Sequence, residues 1–166
     1  MRLAGDDAFA RARRVSAALA AADSATALLE RRCGGPIFAR AAAAAAAEAT
    51  PAQRARLCVG AREPVVFRAV RLVHGERVLC EARNWYVPGR LDAQVLAALA
   101  DGATPFGRAA ARLAPARRTI ASTLLFDAAC PAPPWGVLRH QALVIGPAGA
   151  ICEVEELFTR DVLAFF

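Results

Sequence analysis

Two charged residues stand on strand faces that are otherwise apolar. In ICEVEELF (151–158), alternation puts Cys152, Val154, Glu156 and Phe158 on one face, so Glu156 is a single carboxylate among core-type side chains. Earlier in the chain, Val66, Arg68, Val70 and Leu72 share a face in the same way, and Arg68 is its single cation. A buried charge without a partner is expensive, so each of these residues calls for an explanation. One is a structural ion pair between the two strands. The other is a cavity over the sheet, in which Arg68 grips a ligand carboxylate with both terminal nitrogens and Glu156 acts on the ligand's far end. The pattern alone leaves both open.

The other residue types offer less. His74 falls in a turn and His140 beside Arg139 in a strand, neither with Cys or acidic partners at ligand spacing, so no metal site is expected. No GxSxG elbow, GxGxxG turn or GxxxxGK[ST] loop occurs, which removes the motifs of serine hydrolases, dinucleotide binders and P-loop enzymes. Glu81 and Arg83 share a face with Leu79 and Trp85 and read as an outward polar pair. Trp135, behind Pro131, Pro133 and Pro134, reads as a packing anchor.

Composition bounds these readings. The 166 residues, 57% hydrophobic and 22% charged, suit one domain over the whole chain, 1–166, with a sizeable core. All 21 basic residues are arginine, and the net charge is +6. The arginines are dispersed, with short pairs only at 13–14, 31–32 and 117–118, and no helix-turn-helix, zinc-finger or aromatic RNA-binding signature accompanies them. These read as scattered surface arginines, so no nucleic-acid partner is expected, while a small-molecule anion stays open. Five cysteines form no CxxC pair and leave one over from any set of internal disulfides, which fits a reducing cytoplasm. Asp6 and Asp7 stand where a signal peptide needs an apolar run, and no segment approaches the roughly 20 apolar residues of a membrane span.

The elements that must position Arg68 and Glu156 can be read along the chain. Residues 8–22 lack a breaker and predict a helix. Asp23-Ser24 then caps a second helix, Ala25 to Arg32, which Gly34-Gly35 stops. The alanines at 41–47 favour helix by propensity but follow Pro36-Ile37-Phe38, so helix and strand both remain open. Val65–Val73 and Arg77–Val87 form a hairpin through His74-Gly75-Glu76, and Pro88 closes it. Leu91–Ala100 predicts an amphipathic helix with Asp92 near its start, and Thr104–Arg108 a breaker-rich loop. Strands follow at 118–126, 137–145 and 150–158. The fold class is α+β: a single antiparallel β-sheet with helices packed on one side.

Taken in order, Asp23-Ser24-Ala25-Thr26, Arg68 with His74-Gly75-Glu76, Ala82-Arg83 before Val87-Pro88, Thr104-Pro105-Phe106-Gly107-Arg108, Trp135-Gly136 and Glu156-Leu157-Phe158 resemble the chorismate lyase family over almost the whole chain. The resemblance implies a chorismate lyase-like fold enclosing a small ligand site, and conversion of chorismate to 4-hydroxybenzoate and pyruvate without cofactor or metal. It implies that Arg68 holds the ring carboxylate and that Glu156 meets the opposite end and moves a proton. Backbone groups at Ala25 and at Phe106-Gly107 would complete the pocket. Chorismate carries two carboxylates and an enolpyruvyl ether, so the chemistry asks for charge clamps, a proton carrier and exclusion of water. The chain departs from the family pattern in the alanine tract and in the small or aromatic residues at Ala25 and Phe106. Thr159-Arg160-Asp161-Val162-Leu163 resembles related ligand-sensing domains of bacterial transcription regulators, and the alternative is a non-catalytic domain binding an aromatic acid. The roughly 60 residues before Arg68 lack the helical pattern of a DNA-binding module. A monomer or small homo-oligomer is expected.

Overall fold

The computed structural model describes residues 5–166, and for Gly5 and Asp6 the backbone only. Its helices are α1 (Gly5–Ala20), α2 (Ala25–Cys33), α3 (Pro51–Arg56), α4 (Ala93–Ala100) and the single turn α5 (Phe106–Ala109). Its strands are β1 (Phe38–Ala41), β2 (Val66–His74), β3 (Arg77–Tyr86), β4 (Ala116–Leu124), β5 (Gly136–Gly146) and β6 (Gly149–Thr159). The strands form one antiparallel sheet in the order β1-β2-β3-β6-β5-β4. The α+β class and the antiparallel sheet expected from the sequence are therefore present.

Local chemistry explains most boundaries. The α2 helix begins where the Ser24 side chain accepts a hydrogen bond from the Ala27 N–H, and it ends at Gly34, whose φ of 69° is the left-handed cap that glycine adopts without strain. The α4 helix starts at Asp92, whose carboxylate takes the Gln94 and Val95 N–H groups. Along α1, Ala8, Ala12, Val15 and Leu19 recur at helical spacing and are fully or almost fully buried, which fixes the face laid on the sheet.

One face of the sheet carries α1, α2, α4 and α5. Toward one end, α1 and α2 pack on Leu72, Cys80, Leu138 and Phe158. Toward the other, α4 and α5 pack on Ala142, Val144, Cys152 and Val154. The opposite face is covered in part by α3 and its flanking chain, where Leu57 meets Trp85, Val87, Leu143 and Ala150. The alanine tract resolves as neither open alternative: β1 ends at Ala41 and the rest is irregular. It crosses from the sheet edge to the far face, held by the Ala42 N–H on Ala69 O and by the Trp85 indole N–H on Ala47 O. Those tertiary bonds override alanine's helix preference. Thr104–Arg108, expected as a loop, contains the α5 turn. Trp135 is a correction too: it is 46% exposed at the end of the proline-rich loop rather than a packed anchor.

Candidate functional site

Alternation along β6 places Glu156 on the helix-covered face, where it is 5% exposed. Its row across the sheet runs Val70, Ala82, Glu156, His140. Two residues along, the next row runs Arg68, Asn84, Val154, Ala142. Over these rows, between sheet and helices, lies a cavity of about 400 Å³. Its wall includes the α2 N-terminus at Ser24, Ala25 and Thr26, the α5 turn at Phe106 and Gly107, and on the sheet Asn84, Val154 and Glu156. The volume is within the usual range for small-ligand sites.

Four of the five expected site residues, Ala25, Phe106, Gly107 and Glu156, line this cavity. Arg68 does not. It stands on the same face, but its Nη2 donates to Thr104 O at 2.7 Å, outside the lining. Burial pulls its guanidinium below the ordinary value, with Tyr86 and Asp101 opposing. The ion pair left open between Arg68 and Glu156 does not form. Glu156 is instead held by Arg117, which reaches over from β4 with both side chains 5% exposed, its Nη1 at 3.4 Å from Oε1 and its Nη2 on Oε2. Glu156 is therefore not the lone buried carboxylate that alternation along β6 suggested.

The α2 N-terminus is the opposite wall. Ser24 caps the Ala27 N–H, while the Ala25 and Thr26 N–H groups, in the first turn, have no intrahelical acceptor. Gly107 sits tightly against this turn: a Cβ there would lie 2.8 Å from Ser24 Oγ and 2.9 Å from Thr26 Oγ1. Arg108, also in the lining, donates to Glu30 and, at 2.8 Å, to Ile37 O. Below Glu156, His140 is fully buried, with its ring nitrogens 3.4 Å from Thr119 Oγ1 and from Ser122 Oγ. Desolvation pulls its pKa below the ordinary 6.5, against the pull of Glu156. Cys80 and Cys152, also fully buried, have their thiols pushed well up by burial. Among the described residues no cluster of three or more His, Cys, Asp or Glu side chains is arranged to hold a metal ion, and no helix is long and apolar enough to cross a membrane.

Arg117 and Asn84 were missed in the sequence. Asn84 carried a readable signal: on β3 it alternates with Cys80, Ala82 and Tyr86 as a lone polar group, the pattern that singled out Arg68 and Glu156. Arg117 carried none, being one member of a short arginine pair near a strand end.

No family model matches the chain. An uncharacterized protein, y4mC, of Sinorhizobium fredii is 35% identical over 129 residues, covering 68% of this chain and 54% of the relative, so the chain spans about half the length of the curated relative it matches. Among solved structures, PhnF of Mycobacterium smegmatis superposes with a TM-score of 0.58 at 15% identity, over 83% of this chain and 64% of that one. The effector domain of PhnF gives 0.55 at 14% identity over 84% and 90%. The ligand-binding domain of a protein assigned to the GntR family of regulators, from Bordetella bronchiseptica, gives 0.51 at 14% identity over 76% and 85%. The chain has the chorismate lyase-like fold of the ligand-binding domains of GntR-type regulators.

Proposed function

We propose that this domain binds a small ring carboxylate of the hydroxybenzoate kind in the cavity beneath α2 and α5, and holds it without turning it over. The observation that carries the reading is the construction of that cavity. Aliphatic side chains such as Val144 and Val154 form much of the wall, the free first-turn N–H groups of α2 stand on one side, and the Arg117–Glu156 pair on the other. The positive end of α2 draws the carboxylate, and the apolar wall takes the ring. Ala25, Phe106, Gly107 and Glu156 are the contact residues of this reading.

Binding without turnover is favoured over lysis because the two groups a lyase would use are engaged elsewhere. Arg68 donates to Thr104 O, and Glu156 is held by Arg117. The regulator domains of the same fold support the same preference. Catalysis is the second reading, favoured by one observation: Glu156 keeps its place in the cavity wall with Ala25 and Phe106, the positions matched to the lyase family.

The test has two arms. Calorimetric titration with 4-hydroxybenzoate is expected to give saturable, one-site binding. Incubation with chorismate, followed by chromatography for pyruvate and aromatic product, is expected to give neither above the uncatalysed background. Stoichiometric pyruvate would replace the binding reading with the lyase one, and absence of both binding and turnover would remove the site.

A further inference from the structure

Buried side-chain polar atoms in folded proteins are almost always hydrogen-bonded, so those that are not mark places to examine. Among the described residues three stand out: Arg68 Nη1, Asn84 Oδ1 and Arg117 Nε. The first belongs to a residue outside the cavity lining. The other two belong to side chains that line it. We propose that Asn84 and Arg117 determine the specificity of the cavity, and that the ligand they select is a ring carboxylate bearing a hydroxyl at the end away from its carboxylate. This inference rests on the binding reading given above and adds to it which residues choose the ligand.

Position and chemistry carry the argument. Asn84 is 3% exposed on the apolar face of β3, where its strand neighbours on that face are Ala82 and Tyr86 and its partners across the sheet are Arg68 and Val154. A valine or leucine would pack there with no polar group left unmatched, so stability does not account for the amide. Arg117 commits its two terminal nitrogens to Glu156 and leaves Nε over. The cavity wall thus carries one unmatched acceptor and one unmatched donor. A ligand hydroxyl can donate to Asn84 Oδ1, as it can accept from Arg117 Nε. A carboxylate, which only accepts, does not suit Asn84 Oδ1 and belongs at the α2 N-terminus.

The spacing agrees. Ala82 pairs with Glu156, and Asn84 stands two residues further along β3, so Asn84 and Glu156 are diagonal neighbours roughly 7–8 Å apart. Arg117 approaches Glu156 from the other side of β6: its backbone on β4 pairs with Val144, in the row beyond Asn84, while its guanidinium reaches Glu156. The side chain therefore runs across the sheet rows that floor the cavity, past the row that holds Asn84.

The test compares benzoate with 4-hydroxybenzoate and 3-hydroxybenzoate by calorimetry on the full chain. The unmodified protein is expected to bind 4-hydroxybenzoate about tenfold or more tightly than benzoate, and a preference for 3-hydroxybenzoate over 4-hydroxybenzoate would overturn the placement of the hydroxyl. In Asn84→Leu that ratio is expected to fall to within about twofold of one, and Asn84→Ala serves if the leucine variant does not fold. Equal affinities for the three acids in the unmodified protein, or a ratio preserved in the Asn84 variant, would overturn the assignment while leaving the cavity reading intact. Failure of all three acids to bind would overturn both.

Discussion

Arg117→Met is the most informative single perturbation of the cavity wall. Both members of the Arg117–Glu156 pair are 5% exposed, so little solvent reaches the carboxylate to replace the lost guanidinium. Methionine keeps most of the arginine's apolar stem while removing its charge, which strands the Glu156 carboxylate in an apolar surrounding. Breaking one side of such a pair costs about 3–5 kcal/mol, which for a chain of this size lowers the thermal midpoint by roughly 6–20 °C. The double variant Arg117→Met/Glu156→Leu removes both charges and replaces the pair by packing, and it is expected to return to within about 1 kcal/mol of the parent. Urea unfolding of the three proteins at pH 7 measures every quantity. A single variant with the parental midpoint at pH 7 would show that Glu156 is solvated and that the buried pair described here is not how the cavity wall is held.

Three further outcomes follow from other contacts. Gly107→Ala places a methyl group 2.8 Å from Ser24 Oγ and 2.9 Å from Thr26 Oγ1, so α5 and the first turn of α2 must separate; about 1–3 kcal/mol of stability and most of the hydroxybenzoate affinity should be lost, read by unfolding and calorimetry. Arg56→Ala removes two bonds, at 2.8 and 2.7 Å, from the fully buried Glu153 on the other face; with Arg56 itself partly exposed, a loss of about 2–3 kcal/mol is expected without change in ligand affinity. His140 is the third. Its folded pKa lies below the ordinary 6.5, so the unfolded chain binds the extra proton, and the stability contributed by burying the neutral ring is present above pH 6.5 and lost as pH falls through the folded value. His140→Gln should flatten the decline in stability between pH 7 and pH 5, and an unchanged slope would count against the buried neutral histidine.

Sequence by itself determined the features that local chemistry controls. The α2 boundaries follow from Ser24 and Gly34, the β2–β3 hairpin from its Gly-containing turn, and the inward face of β6 from strict alternation. Alternation needs no knowledge of partners, which is why Glu156 was found and why Asn84 was findable by the same rule. The order of motifs from Asp23 to Phe158 also indicated the chorismate lyase-like fold.

What only the tertiary structure decided were pairings between elements distant in the chain. Alternation says that a charge points inward and not what it meets there. Glu156 meets Arg117 from two strands away rather than Arg68, and Arg68 turns to a carbonyl of the loop before α5. The same holds for the alanine tract, whose propensity yields to bonds from Ala69 and Trp85, and for Glu153, whose partner Arg56 arrives from a helix on the far face. In each case the deciding free energy is the desolvation of a charged or polar group, and its size depends on neighbours that the sheet order brings together.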